Sequence, residues 1–159
     1  MRVESYEGLL YWKLYSQPAA VANISERLRT DAILRQETSA EVLRISNMLP
    51  ATVPKDVDEL VRVLTSLTKC LFGMGSSCAL PVRTTFLHFV CPEVMPILDK
   101  QVLAAVGITD AGSNQSYEVL RDYLPHAWLL AEKYRAHFGS FRESAVRVID
   151  MALWVSRGK

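Results

Sequence analysis

Apolar positions recur along most of the chain at the three- or four-residue spacing of an α-helix. The first run predicts a helix over residues 5–16, with the apolar residues Leu9, Leu10, Trp12, Leu14 and Tyr15. A second helix is predicted to begin at Pro18, because proline has no N–H to leave unbonded in a first turn. No stretch alternates apolar and polar residues for long enough to predict a β-strand.

Three later helices are predicted to begin at capping sequences. Thr38 with Glu41, and Ser140 with Glu143, have the spacing of a capping box. In such a box the hydroxyl accepts one free backbone N–H and the glutamate accepts another. Asp56 opens the third sequence, in which an aspartate replaces the hydroxyl residue. Each of the three precedes a run of apolar residues with helical spacing.

The second half of the chain predicts three further elements. Pro81 opens an apolar helical run, and Asp99 precedes a short helix over residues 100–106. Residues 107–116 are polar and glycine-containing, which is typical of a loop. A long helix is predicted over residues 116–138, with Pro125 expected to kink or split it. Together the patterns predict an all-α fold, a single compact domain over residues 1–159 with roughly seven to nine helices.

Composition limits the possible functions. Of the 159 residues, 50% are hydrophobic and 22% are charged, as in an ordinary globular protein. The formal net charge is +1, so no overall positive field attracts nucleic acid, and any such surface must be a local patch. The sequence implies neither a metal nor a cofactor.

Cysteine usage and apolar run lengths favour a cytoplasmic protein with no membrane partner. The three cysteines, Cys70, Cys78 and Cys91, match no zinc-binding spacing, and we expect them to be buried free thiols. Free thiols fit a reducing compartment. No segment approaches the roughly 18 consecutive apolar residues that a membrane-spanning helix needs, and the N-terminal residues do not have the apolar core of a signal sequence.

Candidate chemistry is concentrated between Leu71 and Gly107. Gly73 and Gly75 permit a tight turn between two helices, whose N–H groups either bind an anion such as phosphate or simply end a helix. His88, in an apolar helix, is either a buried structural histidine or a catalytic base. Asp99 is either an ordinary helix cap or a carboxylate that stabilises a developing cation or directs a water molecule.

These residues resemble the helix-hairpin-helix DNA glycosylases, the superfamily of endonuclease III. The residues that match the family's hairpin are Leu71, Gly73, Met74, Gly75 and Ala79, with Phe72 in place of a proline. The segment from Leu98 to Val102 is similar to the family's second motif, in which an aspartate begins a helix. The segments around His88 and Asp150 more closely resemble small uncharacterised microbial helical proteins, from which no activity transfers.

The resemblance implies a DNA-binding element that resembles a helix-hairpin-helix, with double-stranded DNA as the partner. It gives Asp99 the role of the catalytic carboxylate. The residues expected to contact nucleic acid are Gly73, Met74, Gly75, Ser76, Ser77, Arg83 and Lys100. Some family members carry a nucleophilic lysine at the position of Ser77, so the serine implies hydrolysis or no catalysis.

An Arg–Asp pair is predicted in the last helix. Arg147 and Asp150 lie three residues apart, and Trp154 follows four residues later, so the three share a face. The pair is either a structural ion pair or part of a site. The leading hypothesis is a DNA-glycosylase-like protein that excises bases by hydrolysis. The alternatives are a non-catalytic nucleic-acid-binding module and a structural or interaction protein.

Overall fold

A computed structural model describes residues 3–14, 17–67, 71–72, 80–105, 117–139 and 143–156. Within these ranges the chain forms eight α-helices and no β-strand, which confirms the all-α prediction. The helices are α1 (Val3–Lys13), α2 (Pro18–Thr30), α3 (Ala32–Met48), α4 (Val57–Ser66), α5 (Leu80–Val90), α6 (Lys100–Ala105), α7 (Leu120–Tyr134) and α8 (Ala145–Ser156). Short 3-10 helices, Tyr117–Val119 and Arg135–Phe138, extend α7 at both ends. No helix in the described ranges is long and apolar enough to cross a membrane.

The chain divides into two compact units, and each is assembled from two separate stretches of sequence. Unit 1 comprises Met1–Met48 and Leu67–Cys78. Unit 2 comprises Leu49–Ser66 and Ala79–Lys159. The prediction of a single domain over residues 1–159 stays a prediction.

Unit 1 contains α1, α2 and α3, which pack against one another. Its buried apolar residues are Tyr6, Leu9, Leu10, Val21, Leu28, Val42, Ile45, Leu67 and Leu71. The hydroxyl of Tyr6 donates a hydrogen bond to the carbonyl of Phe72 at 2.6 Å. The guanidinium of Arg27 lies over the Phe72 ring, 4.7 Å from its centroid. Two helices of unit 1 therefore fix Phe72, the residue that precedes Gly73.

Unit 2 contains α4 to α8. Helix α8 packs against α6 and α7, and α4 packs against α7. The largest fully buried side chains of this unit are Leu60, Leu64, Leu80, Leu87, Met95, Leu98, Leu103, Leu120, Tyr123 and Leu124. Each buried leucine contributes about 1.5–3 kcal/mol relative to exposure. Met95 and Leu98 belong to the connection between α5 and α6, so this connection lies inside the core of unit 2.

The capping box predicted at Thr38 is wrong. Thr38 is buried in the middle of α3, which begins six residues earlier at Ala32. The cap is Asp31, whose carboxylate accepts the N–H of Leu34 at 2.9 Å. Leu34, Thr38 and Val42 recur every four residues on one face, so a single longer helix buries more surface than one that begins at Thr38.

The other predicted helix starts give mixed outcomes. Asp56 caps α4 as predicted, because its carboxylate accepts the N–H of Asp58 at 2.8 Å. The box from Ser140 to Glu143 does not begin α8: the helix starts at Ala145 and Ser144 caps it, accepting the N–H of Arg147 at 3.1 Å. Ser140 itself lies outside the described residues. The serine nearest the first apolar turn is therefore the cap.

Pro125 does not split the long helix predicted over residues 116–138. Helix α7 runs through Pro125 without interruption. Proline removes the N–H that would bond the carbonyl of Arg121, and both residues are exposed, so water can satisfy that carbonyl. The extent of the helical run over residues 117–138 agrees with the prediction.

Candidate active site

The connection between α5 and α6, residues 91–99, carries Asp99 at its end. It contains one turn, in which the N–H groups of Val94 and Met95 donate to the carbonyl of Cys91 at 3.1 and 3.0 Å. Prolines at positions 92 and 96 restrict its backbone and lack an N–H to donate. Most of its residues are buried, so the remaining backbone groups need partners from elsewhere in the fold.

Three side chains bond carbonyl groups of the α5–α6 connection. Ser144 Oγ donates to the carbonyl of residue 92 at 2.8 Å. Trp128 Nε1 donates to the carbonyl of residue 94 at 2.8 Å. His88 Nδ1 lies 2.7 Å from the carbonyl oxygen of residue 95, and it must carry the proton because a carbonyl only accepts. These donors come from α5, from α7 and from the residue before α8.

Two further side chains accept the backbone N–H groups directly before Asp99. Ile97 donates to Asp150 Oδ2 at 3.3 Å. Leu98 donates to Thr84 Oγ1 at 3.1 Å. Asp150 and Thr84 are both buried. The backbone that leads into Asp99 is therefore held from α8 and from α5 at successive residues.

Asp99 itself is half-buried and caps α6. Its Oδ1 accepts the N–H groups of Gln101 and Val102 at 2.8 and 2.9 Å. Both bonds hold the carboxylate against the first turn of the helix. Within the described part of the chain, no group donates a hydrogen bond to Oδ2. One oxygen of Asp99 therefore fixes the side chain at the start of α6.

A second carboxylate lies close to Asp99. Asp150 is only 2% exposed, and Arg147 Nη1 donates to its Oδ2 at 2.5 Å, which confirms the predicted Arg147–Asp150 pair. Burial raises the pKa of Asp150 to about 6, and the charge of Asp99 acts in the same direction. The bonds from Arg147 and Ile97 lower the pKa and oppose that rise. Trp154, the third predicted member of this face, is exposed.

Tyr123 is a further member of this group, and its position in the sequence indicates only core packing. Its side chain is fully buried, and burial together with the charges of Asp150 and Asp99 raises the pKa of its phenol. Among the residues that the structure describes, neither Tyr123 Oη nor Asp150 Oδ1 has a hydrogen-bond partner. Buried polar atoms without partners are rare in folded proteins, because each costs about 1–3 kcal/mol.

His88 has a structural role in this arrangement. Its ring is buried, and burial holds the pKa of the imidazole below its ordinary value. The charge of Arg147 acts in the same direction, while the Met95 carbonyl and two nearby glutamates oppose it. Of the two interpretations of His88, the geometry matches the buried structural histidine.

The residues predicted to contact nucleic acid are described only in part. Gly73, Met74, Gly75, Ser76 and Ser77 lie outside the described residues, as does the side chain of Lys100. Arg83 is half-buried on α5, and its guanidinium lies over the ring of Tyr117, 4.7 Å from the centroid. The arrangement of the predicted nucleic-acid-binding residues stays a prediction.

Other candidate chemistry is limited. Cys91 is buried, as expected of a free thiol that packs like a small apolar residue, and burial raises its pKa to about 12. Cys70 and Cys78 lie outside the described residues. In the described ranges, no group of three or more His, Cys, Asp or Glu side chains is placed to hold a metal ion.

Comparisons with protein-family models, curated proteins and solved structures gave no match. The interpretation of Asp99 and its surroundings therefore depends on their chemistry and on the sequence resemblance described above.

Proposed function

We propose that this chain is a DNA-binding helical protein of the DNA-glycosylase type, which excises a base by hydrolysis with Asp99 as its catalytic carboxylate. One observation carries the proposal. Asp99 Oδ1 is fixed by two backbone N–H groups, and no described group donates a hydrogen bond to Oδ2. A carboxylate held in this way needs little reorganisation to stabilise a positive charge that develops beside it.

The proposed reaction breaks the bond between the base and C1′ of its sugar. The base leaves with the bonding electrons, and positive charge develops on the sugar, where Asp99 stabilises it. A water molecule adds its oxygen to C1′, and its released proton balances the charge on the departing base. Ser77 replaces the lysine that serves as nucleophile in some members of the resembling family, which agrees with water as the nucleophile.

DNA binding is the other half of the proposal. The turn from Gly73 to Gly75 is proposed to bind a phosphate through its backbone N–H groups. Arg83 and Lys100 are proposed to contribute positive charge. A target base inside a duplex must leave the stack before it is excised.

A second candidate is a nucleic-acid-binding module without catalysis. It is favoured by the same geometry of Asp99, because aspartate is among the preferred N-cap residues and two capping bonds account for its presence without any reaction. The two candidates predict the same DNA binding and different chemistry.

The substitution Asp99→Asn separates these candidates. Asparagine also caps helices well, so the variant should keep α6 while losing the negative charge. The assay measures base release from duplexes that each carry one deaminated, alkylated or oxidised base. We expect base release by the wild type and a loss of about 100-fold or more in the variant, typical of removing a group that stabilises transition-state charge. Asp56→Asn, which changes the cap of α4 in the same way, is the matched control and should retain activity.

Other outcomes decide against this mechanism. If base release survives Asp99→Asn, Asp99 is not the catalytic carboxylate. If the wild type binds duplex DNA and releases no base, the non-catalytic module is favoured. Several phosphate contacts would make affinity fall steeply between about 50 and 200 mM salt. Failure to bind duplex DNA at the lower salt concentration would contradict both candidates and favour a structural or interaction protein.

A further inference from the structure

Asp150 is an unusual choice for the position it occupies. The carboxylate is 2% exposed, and its Oδ1 is buried without a partner in the described part of the chain. Replacing a buried ion pair by apolar residues of similar volume is often neutral or stabilising. The ion pair with Arg147 alone therefore does not explain a carboxylate here, and its other contacts suggest a further role.

The contacts of Asp150 lead from α8 to Asp99. Arg147, one turn earlier on α8, donates to Asp150 Oδ2 and holds the side chain in one orientation. The same Oδ2 accepts the N–H of Ile97, which is separated from Asp150 by 53 positions in sequence and lies two residues before Asp99. An ionised carboxylate can accept both bonds at once. The charged or titratable groups that influence Asp150 are Arg147, Asp99 and Tyr123.

The bond to Ile97 complements the bond to Leu98. Thr84 holds Leu98 from α5 with a neutral hydroxyl. Asp99 then holds the first turn of α6 through Gln101 and Val102. The side chain of Asp99 therefore projects from a backbone fixed on both sides. Of the three side chains that accept these backbone N–H groups, Asp150 and Asp99 are ionisable and Thr84 is not.

From these contacts we infer that Asp150 is a positioning residue for Asp99: through the N–H of Ile97, it fixes the backbone from which the Asp99 carboxylate projects. The inference rests on the proposed function for its effect on catalysis. Its structural part, control of the Ile97 and α6 backbone by Asp150, can be measured whether or not the protein has that activity.

The test compares three variants of the full chain. Asp150→Leu removes the acceptor at similar volume, and Asp150→Asn keeps an oxygen that can accept the N–H of Ile97. Val148→Ala is the matched control, because it truncates a buried side chain on the same helix without removing a bond to the α5–α6 connection. Backbone amides are followed by NMR, and kcat and KM are measured for base release.

The positioning role predicts a specific set of results. In Asp150→Leu, the Ile97 amide exchanges with solvent at least about 10-fold faster than in the wild type, the scale of losing one hydrogen bond. The Gln101 and Val102 amide signals shift as well. The control changes none of these amides in the same way. If base release occurs, kcat falls by about 10-fold or more while KM stays within about twofold. A displaced catalytic group reduces the stabilisation of the transition state more than it reduces substrate binding. Asp150→Asn restores most of this loss.

The possible failures are distinguishable. If the wild type releases bases and Asp150→Leu retains the kcat of the control, the inference is wrong and the proposed function stands. If the wild type releases no base, the proposed function fails, and the amide measurements alone decide the inference. Unchanged Ile97, Gln101 and Val102 amides in Asp150→Leu would overturn it. If Asp150→Leu does not fold, the pH titration of the Ile97 amide signal is measured instead. The inference then requires this signal to titrate with Asp150, near pH 6, in the wild type and not in Asp150→Asn.

Discussion

The hydroxyl of Thr84 accepts the backbone N–H of Leu98 at 3.1 Å and donates to the carbonyl of Leu80 at 3.0 Å. Both the acceptor and the donor capacity of one buried hydroxyl are thus used. The first bond joins α5 to the backbone directly before Asp99, so a residue that sequence patterns assign to an apolar helix also supports the candidate site.

Thr84→Val should destabilise the protein by about 1–3 kcal/mol, because it leaves the buried N–H of Leu98 without an acceptor. Thr84→Ser should lose less, since it keeps the hydroxyl. Thr85→Val is the matched control: Thr85 is also buried, and its hydroxyl is bonded within α5, to the carbonyl of Pro81 at 2.7 Å. Urea unfolding of the three variants gives the comparison. Equal losses in the two valine variants would show that the Leu98 bond contributes little.

Asp99→Ala should lower the free energy of unfolding by about 1 kcal/mol, because α6 loses the acceptor for two N–H groups. Asp99→Asn should lie close to the wild type, since asparagine caps equally well. Thermal or urea unfolding measures both. An alanine variant as stable as the wild type would mean that water replaces the cap at no cost.

Mild acid should increase the stability of the wild type relative to that of the Asp150→Asn variant. The folded-state pKa of Asp150 is about 6, above its ordinary value of 3.8. Folding therefore favours the protonated form, and this contribution is complete below the unfolded-state pKa and disappears as the pH rises through about 6. Relative to Asp150→Asn, the wild type should gain on the order of 1–3 kcal/mol from about pH 7 to about pH 4. A difference independent of pH between these limits would contradict the raised pKa.

His88 should contribute a pH dependence of the opposite sign. Burial lowers the pKa of His88, so the unfolded chain takes up a proton below about pH 6.5 that the folded protein resists. Its stabilising contribution is complete above that pH and decreases as the pH falls. His88→Gln does not titrate, so the stability advantage of the wild type over this variant should decrease on acidification. Unfolding at matched pH values checks the slope, and an advantage that grows in acid would refute the assignment.

Tyr6→Phe should destabilise unit 1 by about 1 kcal/mol, because the hydroxyl of Tyr6 donates to the carbonyl of Phe72 at 2.6 Å from a buried ring. Tyr11→Phe makes the same chemical change on the same helix at a side chain that is 51% exposed, and it should change stability very little. Amide exchange in α1 to α3 measures the effect. Equal effects of the two substitutions would show that the bond to Phe72 is not stabilising.

Helical spacing predicted the all-α class, most clearly in α4, whose buried residues Leu60, Val61 and Leu64 share one face. The errors concern boundaries. Thr38 has the sequence of a capping box, yet its side chain belongs to the buried face of α3, and the cap is Asp31. Ser144 rather than Ser140 caps α8. A capping sequence shows which residues are able to begin a helix. Which of them does so depends on the apolar surface that the resulting helix buries.

The candidate site was predictable where its chemistry is local. Asp99 as a helix cap, and Arg147 with Asp150 on one face, follow from spacings of a few residues. The side-chain contacts that support the α5–α6 connection do not follow from local spacing, because Trp128 and Ser144 contact backbone groups 34 and 52 positions away in sequence. Two adjacent threonines in an apolar helix were the available signal for Thr84, since a buried hydroxyl needs partners.

The discontinuous units also determine the order in which the chain can fold during synthesis. Unit 1 ends at residue 78, so α1 to α3 emerge from the ribosome before their last stretch exists. Helix α4 belongs to unit 2 and packs against α7, which begins more than fifty residues after it ends. A nascent chain that stops after α4 therefore has an apolar helix face without its partner, and no single cut between residues 49 and 78 leaves both units intact.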